Sequence, residues 1–321
     1  MPNRQTFFIL DGLDIQKEIN EITSFNNLEL LAHQVVEGFI SGLHKSPFHG
    51  FSAEFAEHKI YNQGESTKHI DWKLFAKTDK LYTKRYEEET NLRCHIIIDN
   101  SSSMHYPSLK QFTINSLNKI AFSALASAAI MNLLKRQRDA VGLSIYSHEY
   151  EYYVNEKGSE RHHQMLLGKL NDMLLDAHEN KGTKTFTFLH EIADKIKRRS
   201  MIFLFTDMFQ SDAEAERLFE ALQHLKYNKH EVILFHTFDM EKEIEFNFSN
   251  RPKRFVDVET GEHINLYAEN IKDNYEEAVS NYFSELKIRC GQYRIKYVPV
   301  DINGNFSTIL TTYLIERQKF V

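Results

Sequence analysis

Five short runs of branched and aromatic apolar residues recur after Asn91: CHIIID, VGLSIYS, MIFLFT, VILFHT and YRIKYVPV. Each is one strand long, and strands apolar on both faces belong inside a sheet that is covered on both sides. Stretches of helical period separate them, so the alternation is that of an α/β fold with a doubly wound, mostly parallel sheet. Strands are expected over residues 94–99, 141–147, 201–206, 232–237 and 293–300, and helices over 109–135, 160–175, 188–198, 213–225, 275–286 and 307–317. In the first of these helices, Ser108 is the expected N-cap and Leu117, Ile120, Ala124, Ala128 and Met131 form one apolar stripe. Residues 150–154 follow the second strand so closely that they should fold back as an antiparallel edge strand. A less regular stretch near 243–265, containing Thr260, Gly261 and Glu262, reads as a hairpin excursion.

Residues 1–90 have another character. A helical period runs over 28–43, followed by aromatic-rich segments around Phe51, Phe55, Tyr61, Trp72, Tyr82 and Tyr86. The expected organisation is therefore a helical and β-rich segment over 1–90 packed on an α/β domain over 91–321. Composition narrows the function. A formal net charge of -6 argues against a dedicated nucleic-acid binder, which needs a basic face to neutralise phosphates. The two cysteines, Cys94 and Cys290, lie too far apart in sequence to read as a disulfide scaffold, and a reduced cytoplasmic chain is expected. Acidic residues interrupt the apolar amino terminus, so no secretory signal is expected there. The longest apolar tract, residues 120–134, falls short of the ~20 residues that span a bilayer, so it reads as a buried helix and no membrane insertion is expected.

In an open α/β sheet, ligands bind beyond the carboxyl ends of the strands. Here those ends read DNSSSM and TDMFQSD. Asp99 closes the first strand, with Ser101 and Ser103 two and four residues later, and Asp207 follows MIFLFT. Mg²⁺ takes six oxygen ligands in a near-octahedral shell, usually one or two carboxylates with hydroxyls and waters. One or two aspartates, two serines and a threonine suit that shell, and Mn²⁺ would be accepted by the same donors. Neutral hydroxyls leave the ion electrophilic, ready for a carboxylate from a partner.

A D-x-S-x-S motif after an apolar strand, followed by a Thr loop and a strand-end Asp, resembles the metal-ion-dependent adhesion site of von Willebrand factor A (vWA) domains. The resemblance implies a vWA-like, Rossmann-like fold and one metal ion held by Asp99, Ser101, Ser103, Thr183 and Asp207, with Thr185 and Thr187 as alternatives for the loop ligand. Upstream, Tyr61, Gly64-Glu65 and Ile70-Asp71-Trp72, followed by Ala76, resemble the signature of the DUF58 family. Lys59, Lys68 and Lys77 stand where that family usually carries Arg, keeping the charge without the bidentate fork. Over roughly residues 35–315, this resemblance implies a protein-interaction adaptor that partners a MoxR-type AAA+ ATPase and a client protein. The chain has no Walker A pattern, so ATP-driven work would belong to that partner.

Other residues invite plainer readings. Asp71 and Trp72 are expected to anchor packing. His162 and His163 are adjacent on a helix, do not share a face, and are expected on a solvated surface. Asp239, Glu241 and Glu243 read as a polar loop after a strand. The rival function is a Mg²⁺-dependent phosphohydrolase or phosphotransferase, which needs a second acid beside the ion, with Asp212 as its candidate. The expected function is binding without catalysis.

Overall fold

The computed structural model describes residues 28–44, 58–60, 72–78, 80–84, 92–109, 112–113, 116–147, 150–175, 185–208, 212–249, 251–257 and 262–318. Helix α1 (Leu28–His44) is followed by β1 (His58–Ile60), α2 (Trp72–Thr78) and β2 (Tyr82–Lys84), with β1 and β2 paired antiparallel. Then come β3 (Arg93–Asp99), α3 (Lys119–Arg136), β4 (Ala140–Tyr146), β5 (Tyr150–Lys157), α4 (Glu160–Leu175) and α5 (Thr185–Lys195). The remainder is β6 (Met201–Thr206), α6 (Asp212–Tyr227), β7 (Glu231–Phe238), β8 (Pro252–Val256), β9 (His263–Tyr267), α7 (Lys272–Gln292), β10 (Lys296–Asp301) and α8 (Ser307–Gln318).

Six strands form the central sheet in the order β10-β7-β6-β3-β4-β5. All neighbours are parallel except β5, which returns antiparallel on β4 as its short connection requires. Strand alternation sorts the core into two layers. Cys94, Ile96 and Ile98 face a cluster built with α1, α3, α4 and α8, whereas Ile97 faces α5, α6 and α7. Strands apolar on both faces thus receive helices on both faces. From β3 the chain steps to β4 on one side and later to β6 on the other, which opens a crevice at the carboxyl ends of β3 and β6.

Helix α3 is buried on nearly every side, and its own small Ala and Ser side chains let it lie close to the sheet. Its start differs from expectation. The cap is Asn118, whose Oδ1 accepts from the Ala121 amide at 2.9 Å, and not Ser108, because residues 112–113 and 116–118 are non-helical and Thr113 bridges to Ser116. The last strand also starts later than expected, since α7 continues to Gln292 and turns through Arg294 at φ 55° before β10. His162 and His163 are buried, contrary to a solvated reading. The His162 Nε2 lies 2.8 Å from the carbonyl oxygen of Val141 on β4, an inner strand of the sheet. The excursion after β7 is a π-helical turn, Met240–Ile244, followed by the β8–β9 hairpin. Asp71 and Lys68 lie outside the described residues, as do the side chains of Trp72 and Lys59. Cys94 and Cys290 are free and buried.

Candidate metal centre

Asp99 ends β3 on the same face of the sheet as Ile97, and Thr206 ends β6 on the same face as Leu204. The two therefore meet: the Thr206 hydroxyl donates to Asp99 Oδ2 at 2.9 Å. The Ser101 amide turns back to Asp99 Oδ1 at 3.0 Å, the local turn that Asp favours two residues ahead. A 3₁₀ turn over Ser102–His105 then brings Ser103 round, and the Ser101 and Ser103 hydroxyl oxygens lie 3.1 Å apart. Asp99 and Ser101 are buried, while Ser103 is half-buried and marks the mouth. Asn100 is held away from the cluster by Tyr146, Glu151 and His105.

Burial, together with the charge of Asp207, pushes the Asp99 carboxyl up to about 7, against the hydrogen bonds from Ser101 and Thr206. Asp207 follows β6 and is 3% exposed. Its Oδ2 accepts from the Lys119 ammonium at 2.9 Å, and the same ammonium donates to Glu243 Oε1 at 2.6 Å. Glu243 Oε2 in turn accepts the Asp239 amide at 2.8 Å. Burial opposes the charge on Lys119, but Asp207 and Glu243 outweigh it and hold its pKa above the ordinary value.

Of the expected donors, Asp99, Ser101 and Ser103 converge, and Asp207 reaches the same crevice with an ammonium already on it. Thr183 lies outside the described residues. Thr185 opens α5 with its side chain undescribed, and Thr187 on that helix is exposed. Asp212, the acid that a hydrolase would need, begins α6 and its side chain is likewise undescribed. Thr206 and Lys119 were not singled out from sequence. The signal for Thr206 was its parity with Leu204 at a strand end. For Lys119 it was one charge in the otherwise apolar, small-residue tract KIAFSALASAAIM. Glu243 does not sit in a loose polar loop; it faces inward to Lys119.

The donor set fits a hard divalent ion. Neighbouring ligands in an octahedral shell with 2.0–2.1 Å bonds lie about 2.9 Å apart, close to the separation of the Ser101 and Ser103 oxygens. The Asp99 carboxylate accepts from the Ser101 amide on one oxygen and the Thr206 hydroxyl on the other, and its oxygens have about four lone-pair sites in all. Among the described residues, no three His, Cys, Asp or Glu side chains gather as a cage. This cluster is of another kind, one carboxylate with hydroxyls.

A second polar arrangement has a different character. Ser144 Oγ lies 2.7 Å from His95 Nε2, and His95 Nδ1 lies 2.7 Å from Glu156. The order is that of a nucleophile, base and acid, but all three side chains are sealed within the sheet, so the chain of bonds ties β5 to β3 and β4. A cleft of 330 Å³ lined by Glu231, Arg294, Lys296 and Glu316 lies at the amino ends of β7 and β10, the opposite end of the sheet from Asp99.

The model of the family described as "Protein of unknown function DUF58" matches residues 57–283, which spans the upstream signature, the Asp99 cluster, Lys119 and Glu243. The chain belongs to the DUF58 family. No curated protein matches this DUF58 chain. Solved structures are similar only distantly. A conserved hypothetical protein, BatB, from Bacteroides thetaiotaomicron is 12% identical with a TM-score of 0.43, covering 72% of this chain and 100% of its own. An aerotolerance-related membrane protein from Bacteroides fragilis is 11% identical with a TM-score of 0.43, covering 70% and 99%. The PilB minor pilin of Streptococcus sanguinis is 10% identical with a TM-score of 0.44, covering 75% and 64%. No helix among the described residues is long and apolar enough to cross a membrane.

Proposed function

We propose that this DUF58 protein is a vWA-like, metal-ion-dependent protein-interaction module, a cytoplasmic adaptor that links a client protein to a MoxR-type AAA+ ATPase and carries out no chemistry of its own. The observation that carries the reading is the Ser101–Ser103 hydroxyl pair, spaced like one edge of an octahedron, beside Asp99 in the crevice of a parallel sheet. Asp99, Ser101 and Ser103 would hold one Mg²⁺ or Mn²⁺ directly, with one of Thr183, Thr185 and Thr187 as a further oxygen donor and Asp207 beside them in the crevice. When bound, the ion supplies a Lewis-acidic position for a client carboxylate. Asp99 carries the compensating charge. The serines orient their lone pairs through the 3₁₀ turn, and the half-buried Ser103 leaves the mouth open.

The test is isothermal titration with Mg²⁺ and Mn²⁺, together with thermal shift, on the wild type and Asp99→Ala. Saturable binding and a raised Tm in the wild type, both lost in the variant, are expected. A wild type that neither binds nor shifts would remove the metal reading. Hydrolysis of generic phosphoesters that disappears in Asp99→Ala would instead favour a phosphotransfer enzyme. Pull-down of an AAA+ ATPase that survives a chelator would separate the partnership from the ion.

A further inference from the structure

Lys119 breaks a local rule. It is the first residue of α3, where the helix dipole favours an acid, and no acidic residue occupies that first turn. Its side chain is 1% exposed, and a buried ammonium is tolerated only when it is paired and hydrogen-bonded. Both conditions are met by Asp207 at 2.9 Å and Glu243 at 2.6 Å. The α3 amide that would be exposed at this position is also satisfied, since Lys119 N donates to Tyr106 O at 3.1 Å. Local preference is overridden here by two carboxylates from two separate loops, the pattern expected where a residue is placed for function.

We infer that Lys119 is a built-in counter-ion that holds Asp207 out of direct contact with the metal, so that Asp99 is the one carboxylate on the ion and the site stays receptive to an anionic partner. This rests on the metal reading above. The charges decide it. Asp99, Asp207 and Glu243 carry three negative charges at full ionisation, and Lys119 offsets one. A divalent ion then brings the cluster to neutrality, with a net positive centre formed by the ion and Asp99 alone. Without the ammonium, Asp207 would be free to turn onto the ion, and the cluster would keep a negative charge that repels a client carboxylate.

The same ammonium gives the site a second connection. Glu243 lies on the π-helical turn, where its Oε2 takes the Asp239 amide, its amide donates to Asp239 O at 2.8 Å, and its carbonyl takes the Tyr275 hydroxyl at 2.8 Å. Phe246 follows, packed on Tyr275 and stacked on Phe255 of β8. A change in how tightly Asp207 holds Lys119 is therefore felt by Glu243 and by the turn that leads into the β8–β9 hairpin.

The experiment is Mn²⁺ titration by calorimetry, with water-proton relaxation to count the waters on the bound ion, on the full-length wild type and three variants. Lys119→Met is expected to tighten the Mn²⁺ Kd by about tenfold and to remove one water, as Asp207 replaces it. Acetate, the carboxylate probe, should then bind the loaded protein less well. In Lys119→Met/Asp207→Asn the gain should vanish. Glu243→Gln leaves the ammonium wholly to Asp207 and should loosen the Kd by about fivefold with the water count unchanged. A purely structural Lys119 would weaken binding in both single variants, and that result overturns the inference, as does an unchanged Kd in either. Should Lys119→Met fail to fold, Lys119→Gln, which keeps a hydrogen-bond donor and removes the charge, decides in its place: a tighter Kd with one water fewer upholds the inference and a weaker or unchanged Kd overturns it. Wild-type protein that binds no Mn²⁺ at all removes the metal reading itself, whereas normal wild-type binding with unmoved variants removes only the role of Lys119.

Discussion

Each oxygen of the Asp99 carboxylate has a neutral donor, Ser101 N–H on one and the Thr206 hydroxyl on the other, and burial together with the charge of Asp207 raises its pKa to about 7. A metal ligand must be deprotonated. Mn²⁺ affinity is thus expected to rise as pH goes from below 7 to above it, read as calorimetric Kd at several pH values; a Kd flat across that window would separate Asp99 from the ion. Ser103 contributes one hydroxyl at the mouth and no buried apolar volume. Ser103→Ala should weaken Mn²⁺ binding by roughly tenfold and leave the melting temperature near that of the wild type. A large drop in Tm would make the hydroxyl a structural pin. These two donors were legible because DNSSSM is contiguous and closes an apolar strand. Lys119 was not, since its partners lie 88 and 124 residues away and no local pattern announces either contact.

At the scale of elements, α3 and β4 show how tightly the sheet constrains its neighbours. Gly142 faces the His95 ring, and a Cβ there would stand 2.6 Å from His95 Nδ1 and 2.8 Å from the Val154 carbonyl oxygen. Gly142→Ala should cost roughly 1–3 kcal/mol in chemical denaturation by displacing the Ser144–His95–Glu156 chain, with Mn²⁺ affinity retained because the metal cluster lies at the other end of β3. A variant as stable as the wild type would mean that the ring has room to move. The Asn118 cap is worth about 1 kcal/mol, and Asn118→Ala should lower stability by that amount. Helix α3 was readable as a buried helix from its small apolar residues. Its first residue was not, because Ser108 and Asn118 are both competent caps and only the non-helical backbone at 112–113 and 116–118, with Thr113 bridged to Ser116, selects the second. The two histidines of α4 were misplaced for a related reason: their adjacency on one helix suggested solvent, while the carbonyl of Val141 on the inner strand β4 supplied His162 with a buried partner.

Across the whole molecule, the central strands gather the buried titratable groups. His236 on β7 is fully buried with Nδ1 2.7 Å from the Tyr297 hydroxyl of β10, and burial lowers its pKa from 6.5 to about 4. A depressed histidine pKa means that the unfolded chain takes the proton first. Stability from this group is full above 6.5 and is lost as pH falls towards 4, by on the order of 3 kcal/mol. Denaturation of the wild type should therefore show that loss, and His236→Gln should flatten it; an equal slope in both would assign the effect elsewhere. By itself, the sequence determined the class of fold, the strand ends, the antiparallel edge and the Asp99–Ser101–Ser103 motif, since periodicity and contiguous motifs act over a few residues. Only tertiary structure decided the order β10-β7-β6-β3-β4-β5, the meeting of Thr206 with Asp99, and the seating of Lys119 between Asp207 and Glu243. Such contacts join segments about a hundred residues apart, and their energies exist only once the sheet has brought two loops to one crevice.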